Sequence, residues 1–326
     1  MIIAMYGTLH KVFAGEQKKT VADIWALIHA SHENKQTGVV RLVSERGETL
    51  YLFLKRGSVI NSYVVASRAV ESLTSEQWDG WINSVGSAYA KSIPLSPQGM
   101  LIYKLLIQNV EGKPEAITGP AEIAGFFETQ KQTPDASLVK LEWENSMGAV
   151  LLLGPSSSPY SLFVSSEYLY DQTGIAPAIL NPEHPSCSAT VFGADQSVKA
   201  WQEVLLRSIF GHVSENVLSR IQMVTGRAVV DSLTRLIVTF ASRRGLDIGI
   251  SSLKVVDGEV FPSPQQAADH YQLLFTEMFM RLSGIIGPRL TTSTLWEVDA
   301  SLSAQERAVI STFSLLSKGY IYERKS

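Results

Sequence analysis

A chain of 326 residues exceeds the size at which one hydrophobic core is usual, so two or three domains are expected. Hydrophobic residues make up 45% and charged residues 18%, yet no run reaches the ~18 uninterrupted apolar residues that a membrane span needs. The net charge of −3 divides into 14 Lys+Arg against 19 Asp+Glu over residues 1–197 and 14 against 12 over 198–326. Neither half has the basic surplus of a phosphate-tracking surface, which excludes nucleic acid as an expected partner.

The N-terminal apolar run lacks a basic leader and a small-residue cleavage site, so no secretory signal is expected. The single Cys187 cannot form an internal disulfide and fits a reducing cytoplasm. Two ungapped alignments point to an internal duplication. At an offset of 99, residues 1–28 lie on 100–127, with Met1, Ile3, Glu16, Ala22 and Ile24 matched by Met100, Ile102, Glu115, Ala121 and Ile123. At an offset of 110, residues 38–63 lie on 148–173, with Gly38, Val40, Leu42, Leu52 and Phe53 matched by Gly148, Val150, Leu152, Leu162 and Phe163. The second copy is therefore expected to carry extra residues before its hairpin.

Each copy opens on an apolar segment, residues 2–13 or 100–110, with the length and composition of a buried strand. A short helix follows, capped by Thr20, with Asp23 in its first turn and Ile24, Leu27 and Ile28 as its apolar stripe. Residues 39–43 and 49–54 form a hairpin through SERGE, where Gly47 supplies the positive φ of a tight connection. The second copy uses GPSSSP for the same turn. Between the copies, residues 71–90 carry Trp78, Trp81, Ile82 and Val85 at helical spacing, with the tryptophans expected in the core. Residues 175–195, rich in proline, read as a linker and domain boundary.

From Asp195 the period is helical. Asp195 caps one predicted helix (Val198, Trp201, Val204, Leu205, Ile209) and Ser214 a second (Val217, Leu218, Ile221, Val224) ending at Gly226. A third, with Val229, Val230, Leu233, Leu236, Ile237 and Phe240, closes at Arg243, Arg244 and Gly245. ISSLKVVDGEVF reads as a hairpin turning at Asp257-Gly258. A helix from Pro264 to Gly287-Pro288 and a last one with the capping box Ser303 to Glu306, ending near Lys318-Gly319, complete a five-helix bundle.

Motifs that would carry chemistry are absent. There is no Gly-x-Ser-x-Gly nucleophile elbow, no phosphate loop ending in Gly-Lys-Ser/Thr and no dinucleotide Gly-x-Gly-x-x-Gly. His29 and His32, beside Glu33, lack a third ligand for zinc, and His184 with Cys187 lacks a partner pair. Asp247 and Asp257 read as loop and turn residues. Glu142 and Glu144 alternate along a strand and are expected on its solvent face. No catalytic, cofactor-binding or metal-binding residue is assigned.

Residues 20–63 resemble the PATAN domain, a module of PatA-type response regulators and other bacterial signalling proteins. The resemblance lies in the helix VADIWALIHAS, the strand entry Thr37-Gly38-Val39 and YLFLKRGSVINS, which is similar to the family's aromatic strand, glycine turn and closing strand. A second copy at 120–173 is weaker, with Glu167 in the place assigned to Gly57. In that family the module mediates protein interactions, and the resemblance implies a non-enzymatic, cytoplasmic adaptor here. Because the signature is clearer in the first copy, Lys55, Arg56, Gly57, Ser58 and Asn61 of its hairpin are the expected interaction residues. The expected fold class is α+β: two tandem strand-helix-hairpin units (1–99 with a linking helix, and 100–194) followed by a helical domain with an inserted hairpin (195–326). The expected partner is another protein or a second copy of the chain. Two other readings are a small-ligand sensor with a pocket at the domain junctions and an enzyme using His29, His32 or Asp257.

Overall fold

The computed structural model describes residues 17–66, 69–108, 113–117, 119–133, 135–144, 146–154, 157–165, 168–181 and 187–316. The expected strand at residues 2–13 lies outside them. The chain is α+β and divides into one unit of residues 1–194 and another of residues 195–326.

The first unit holds two six-stranded antiparallel sheets. The first copy runs β1 (Gln17–Thr20), α1 (Val21–Glu33), β2 (Gly38–Ser44), β3 (Thr49–Lys55), β4 (Ser58–Ala66), β5 (Ala69–Ser72), α2 (Ser75–Val85) and β6 (Ser87–Pro94), with sheet order β1-β6-β2-β3-β4-β5. After α3 (Pro97–Gln108), the second copy runs β7 (Lys113–Ile117), α4 (Pro120–Lys131), β8 (Ser137–Glu142), β9 (Ser146–Leu152), β10 (Tyr160–Ser165), β11 (Leu169–Thr173), a 3-10 turn (Pro177–Leu180) and β12 (Cys187–Gly193). Its sheet order, β7-β12-β8-β9-β10-β11, is that of the first copy strand for strand.

Register corrects the second internal alignment. An offset of 99 carries the pair Gly38–Pro94 onto Ser137–Gly193 and the pair Arg41–Lys91 onto Lys140–Thr190. Across β2 and β6 the copies therefore keep this spacing, and Gly38 corresponds to Ser137 rather than Gly148. The offset of 110 slid the alignment by one strand, laying β2 on β9. The match arises because β2 and β9 are buried at every position, so both read as unbroken apolar runs with no face to fix their phase.

The outer faces of the two sheets bury equivalent residues. Val40, Leu42, Leu52, Leu54, Ala88 and Ala90 pack with Ile24 and Ile28 of α1. Val139, Leu141, Val150, Leu152, Cys187 and Ala189 pack in the same way with Ile123 and Phe127 of α4. Because side chains alternate across a strand, Arg41, Tyr51 and Phe53 point to the opposite face of the first sheet. There the Tyr103 ring of α3 lies 5.8 Å from Tyr51 and 6.3 Å from Phe53. Helix α3 also packs on β8, β10 and β11 of the second sheet.

Three expected elements change. Residues 100–108 of the expected strand are helical: Gly99 to Ile107 are buried on every side, and full burial erases the periodicity that separates helix from strand. Residues 71–90 shorten to α2, capped by Thr74, and give way to β5 and β6. Trp78 and Trp81 lie partly buried against the core of the first copy. Residues 187–193 of the expected linker form β12, which fills the interior sheet position between β7 and β8, and the boundary between the two units falls at its end, after Ala194.

The second unit contains α5 (Lys199–Thr225), α6 (Arg227–Arg243), the hairpin β13 (Ile248–Ser251) and β14 (Lys254–Asp257), α7 (Pro264–Ile286), α8 (Pro288–Ser301) and α9 (Ala304–Phe313). The two helices expected between 195 and 226 are one. Ser214 does not cap, because it lies buried within α5. Asp195 accepts the Ser197 amide at 2.8 Å in a local turn ahead of the helix. The hairpin turns at Ser252 and Leu253, both at positive φ, and not at Asp257-Gly258. Helix α8 begins at Pro288, where no element is expected, and α9 stops at Phe313, short of Lys318-Gly319, which lie outside the described residues.

The capping box of α9 holds the helix in place. Glu306 accepts the Ser303 amide at 2.7 Å through one oxygen, and its other oxygen lies 2.8 Å from Nδ1 of His212 on α5. The hydrogen bond to Glu306 raises the His212 pKa above its ordinary 6.5. Burial pushes the Glu306 carboxyl up, but the donors His212 and Ser303 outweigh it and hold the group below its usual range. A raised histidine adds stability below pH ~6.5 that is lost as pH rises through its folded value; a lowered carboxylate adds stability above pH ~4.5 that is lost on acidification. The stability gap between wild type and His212→Gln, read from denaturant midpoints of the full chain, should therefore peak between these pH values at no more than about 1 kcal/mol. A gap that grows steadily from pH 6 to 9 would contradict this.

Candidate functional site

Helix α1 ends in a Schellman arrangement. The Lys35 amide donates to the His32 carbonyl at 3.0 Å and the Gln36 amide to the Ser31 carbonyl at 2.9 Å. Lys35 sits in the left-handed region at φ +49°, where glycine or asparagine is usual because a Cβ crowds the following carbonyl. Strands β3 and β4 are joined by Arg56 and Gly57, at φ +48° and +83°. This is type I′ geometry, which matches the twist of the strands and favours Asn-Gly.

The turn folds back onto the helix end. Gly57 donates its amide to the Gln36 carbonyl at 2.7 Å and Arg56 donates to Thr37 Oγ1 at 3.1 Å. His32 Nδ1 lies 3.3 Å from the Gly57 carbonyl oxygen. A Cβ on Gly57 would stand 2.6 Å from the His32 Cα and carbonyl oxygen, so glycine is required by close approach as well as by φ.

The five residues expected to mediate interaction therefore divide. Gly57 is buried and architectural, Arg56 and Ser58 are exposed, and Lys55 and Asn61 are half-buried. Asn61 lies opposite Phe53 on β4, beside the irregularity that shifts the strand's register. The same corner carries exposed His29, His32, Glu33 and Lys35 at the end of α1. It has no counterpart in the second copy. Asn34 and Gln132 cap the two helices at nearly the same φ, −76° and −78°, but the residue after the cap is left-handed at Lys35 and not at Thr133, and β9 joins β10 through the longer segment 153–159. Sheet order places the equivalent of the Gly57 turn in that segment, which corrects its assignment to Glu167; residue 167 itself lies outside the described residues.

The other candidates resolve into structural roles. Among the described residues no group of three His, Cys, Asp or Glu could hold a metal; His184 lies outside them. Burial raises the Cys187 thiol to about 11, which leaves it protonated at neutral pH and a poor nucleophile. Glu142 is not on a solvent face: it pairs at 2.8 Å with Lys140, which shares its face of β8 and is buried. Glu144 lies past the end of that strand and is exposed.

Asp257 belongs to a buried network in the second unit. Its carboxylate accepts the Tyr271 hydroxyl at 2.6 Å and the Glu259 amide at 2.9 Å, and lies 3.7 Å from the Arg207 guanidinium. Arg207 also donates to the Glu259 carbonyl at 2.9 Å, and Glu259 Oε1 accepts the Asp247 amide at 2.6 Å. Burial above all, with the neighbouring Asp257 charge, pushes the Tyr271 hydroxyl well above its ordinary range, so it stays a donor. The network ties the hairpin to α5 and α7, and its acceptors are occupied by protein donors.

Two arrangements were invisible to pattern reading. Arg41 and Lys140, equivalent across the copies, are both buried, and Lys104 of α3 is buried with its ammonium 5.8 Å from the centre of the Phe53 ring. Ahead of α3, the amide and hydroxyl of Ser96 donate to the Asp171 carboxylate at 2.5 and 3.0 Å, while the Tyr160 hydroxyl lies 2.8 Å from Ser96 Oγ. Burial raises the Asp171 carboxyl despite these donors. Only the register relation between the copies would have matched Arg41 with Lys140 in advance.

No described helix is long and apolar enough to cross a membrane. Comparison with family models, with curated proteins and with solved structures yields no match to the chain.

Proposed function

We propose that this chain is a non-enzymatic adaptor of a bacterial cytoplasmic signalling system, built on two PATAN-like modules and a helical domain, and acting through protein partners. The observation that carries this reading is the contrast between its ionisable groups. Asp257, Glu259, Glu306 and Asp171 are spent on internal donors, whereas Lys35 and Arg56 stand exposed at one corner of the PATAN-like segment. Catalysis needs titratable groups that converge where a substrate can reach them, while recognition needs them on the surface.

Affinity capture from a bacterial lysate, run in parallel on wild type and on a variant carrying Lys35→Asn and Arg56→Asn, tests the reading. A defined set of proteins retained by wild type and lost from the variant is the expected result. A chain that is monomeric by light scattering and retains nothing specific would count against it.

A further inference from the structure

We infer that the corner formed by the Schellman end of α1 and the β3–β4 turn is a basic docking site for an acidic segment of a partner protein, with Lys35 and Arg56 as its principal contacts. This inference rests on the adaptor reading and narrows it to a surface and a chemistry.

Three observations carry it. First, the backbone places the two cations together: the turn is hydrogen-bonded to the residues that immediately follow α1, through Gly57 to Gln36 and Arg56 to Thr37. Lys55 adjoins them at the end of β3, and Glu33 is the acid at this corner. Second, both cations occupy positions with positive φ where asparagine or glycine would be less strained. The hairpin at Ser252 and Leu253 shows that this chain can place other residues in such turns, so positive φ alone decides nothing. The weight lies in finding a long, exposed cation at each of two such positions that the fold brings side by side. Third, the second copy supplies an internal control. It repeats the strand order, and the β2–β6 register, but the residue after its helix cap, Thr133, is not left-handed and it lacks the two-residue cationic turn. The fold does not require these cations.

The competing reading is that Lys35 and Arg56 serve the helix itself, since positive charge is favourable beside the carbonyl end of α1. The two readings predict opposite changes in stability. If the cations serve a partner, replacing them with asparagine relieves backbone strain and leaves the chain at least as stable. If they serve the helix end, the same change weakens it. An acidic segment is favoured over nucleic acid because two or three cations at one corner do not form a track along a phosphate backbone.

The test uses the full chain and a fluorescein-labelled decapeptide of alternating glutamate and aspartate, read by anisotropy. Wild type is expected to bind the peptide at 50 mM salt and to lose roughly tenfold in affinity by 300 mM. The variant with Lys35→Asn and Arg56→Asn should lose roughly tenfold at low salt while melting no lower than wild type. Lys131→Asn, at the end of α4, should bind as wild type does. Equal binding by the double variant, a lower melting temperature for it, tighter binding of a ten-nucleotide single strand than of the peptide, or no binding at millimolar peptide would each overturn the inference. If lysate partners are captured equally well by wild type and double variant, the docking site is wrong and the adaptor reading survives. If none is captured, the adaptor reading itself fails.

Discussion

Arg207→Met is expected to lower the stability of the helical unit by about 3 kcal/mol, because it strands a buried carboxylate. The Asp257 side chain is only 5% exposed, and Arg207 is the cation that faces it in the network. Methionine keeps most of the packing volume along the stem but supplies no donor. It therefore also leaves the Glu259 carbonyl without its partner at 2.9 Å. Tyr271 and the Glu259 amide would still donate to Asp257, which keeps the loss below that of a wholly unpaired buried charge.

A double-mutant cycle separates charge from shape. Asp257→Asn in the Arg207→Met background removes the unpaired charge, so the loss in the double variant should fall short of the sum of the two single losses by about 1–2 kcal/mol. Additive losses, or a cost for Arg207→Met below about 0.5 kcal/mol, would mean that the network is solvated and the hairpin is held by apolar packing alone.

What the sequence made legible, and what it hid, follows from how each element is buried. Helix α1 was readable because it buries one stripe, Ile24 and Ile28, and carries a complete capping box at Thr20 and Asp23. The same held for α9 with Ser303 and Glu306. Helix α3 was misread because both sheets pack on it, and nothing in its composition marks a face. The duplication was visible, but its second half was misaligned by one strand, since Val-Leu runs buried on both faces resemble one another at any slip, odd or even. What would have fixed the phase is non-local: β6 and β12 enter their sheets beside β2 and β8, and no local pattern announces such an insertion.

The corner proposed for docking was half legible. Gly57 and its neighbouring cations were singled out from the hairpin, but Lys35 was not, because its relevance depends on a turn twenty residues away folding back onto the helix end. The network around Asp257 was hidden for the same reason. Arg207, Asp257 and Tyr271 come from three separate elements and meet only when the hairpin docks between α5 and α7.

Gly57→Ala should cost the first unit about 3 kcal/mol, and its comparison with Gly47→Ala shows why. Both glycines have nearly the same φ, +83° and +82°, so both substitutions force an L-residue into the left-handed region at about 1 kcal/mol. They differ in what the new methyl group meets. Around Gly47 nothing lies within 4 Å, whereas at Gly57 the Cβ would fall 2.6 Å from the backbone of His32. Backbone at the end of a helix cannot swing aside as a side chain can, so the turn must lift away. It would then lose the 2.7 Å bond from Gly57 to Gln36 and the 3.1 Å bond from Arg56 to Thr37. Hydrogen exchange should report this directly: the amides of residues 56 and 57 lose protection in Gly57→Ala and keep it in Gly47→Ala. Because Arg56 leaves the helix end with the turn, Gly57→Ala should also weaken binding of the acidic decapeptide without changing any charge. Equal destabilisation by the two alanines would mean that the turn is not seated on α1, and the corner would then have no fixed geometry with which to recognise a partner.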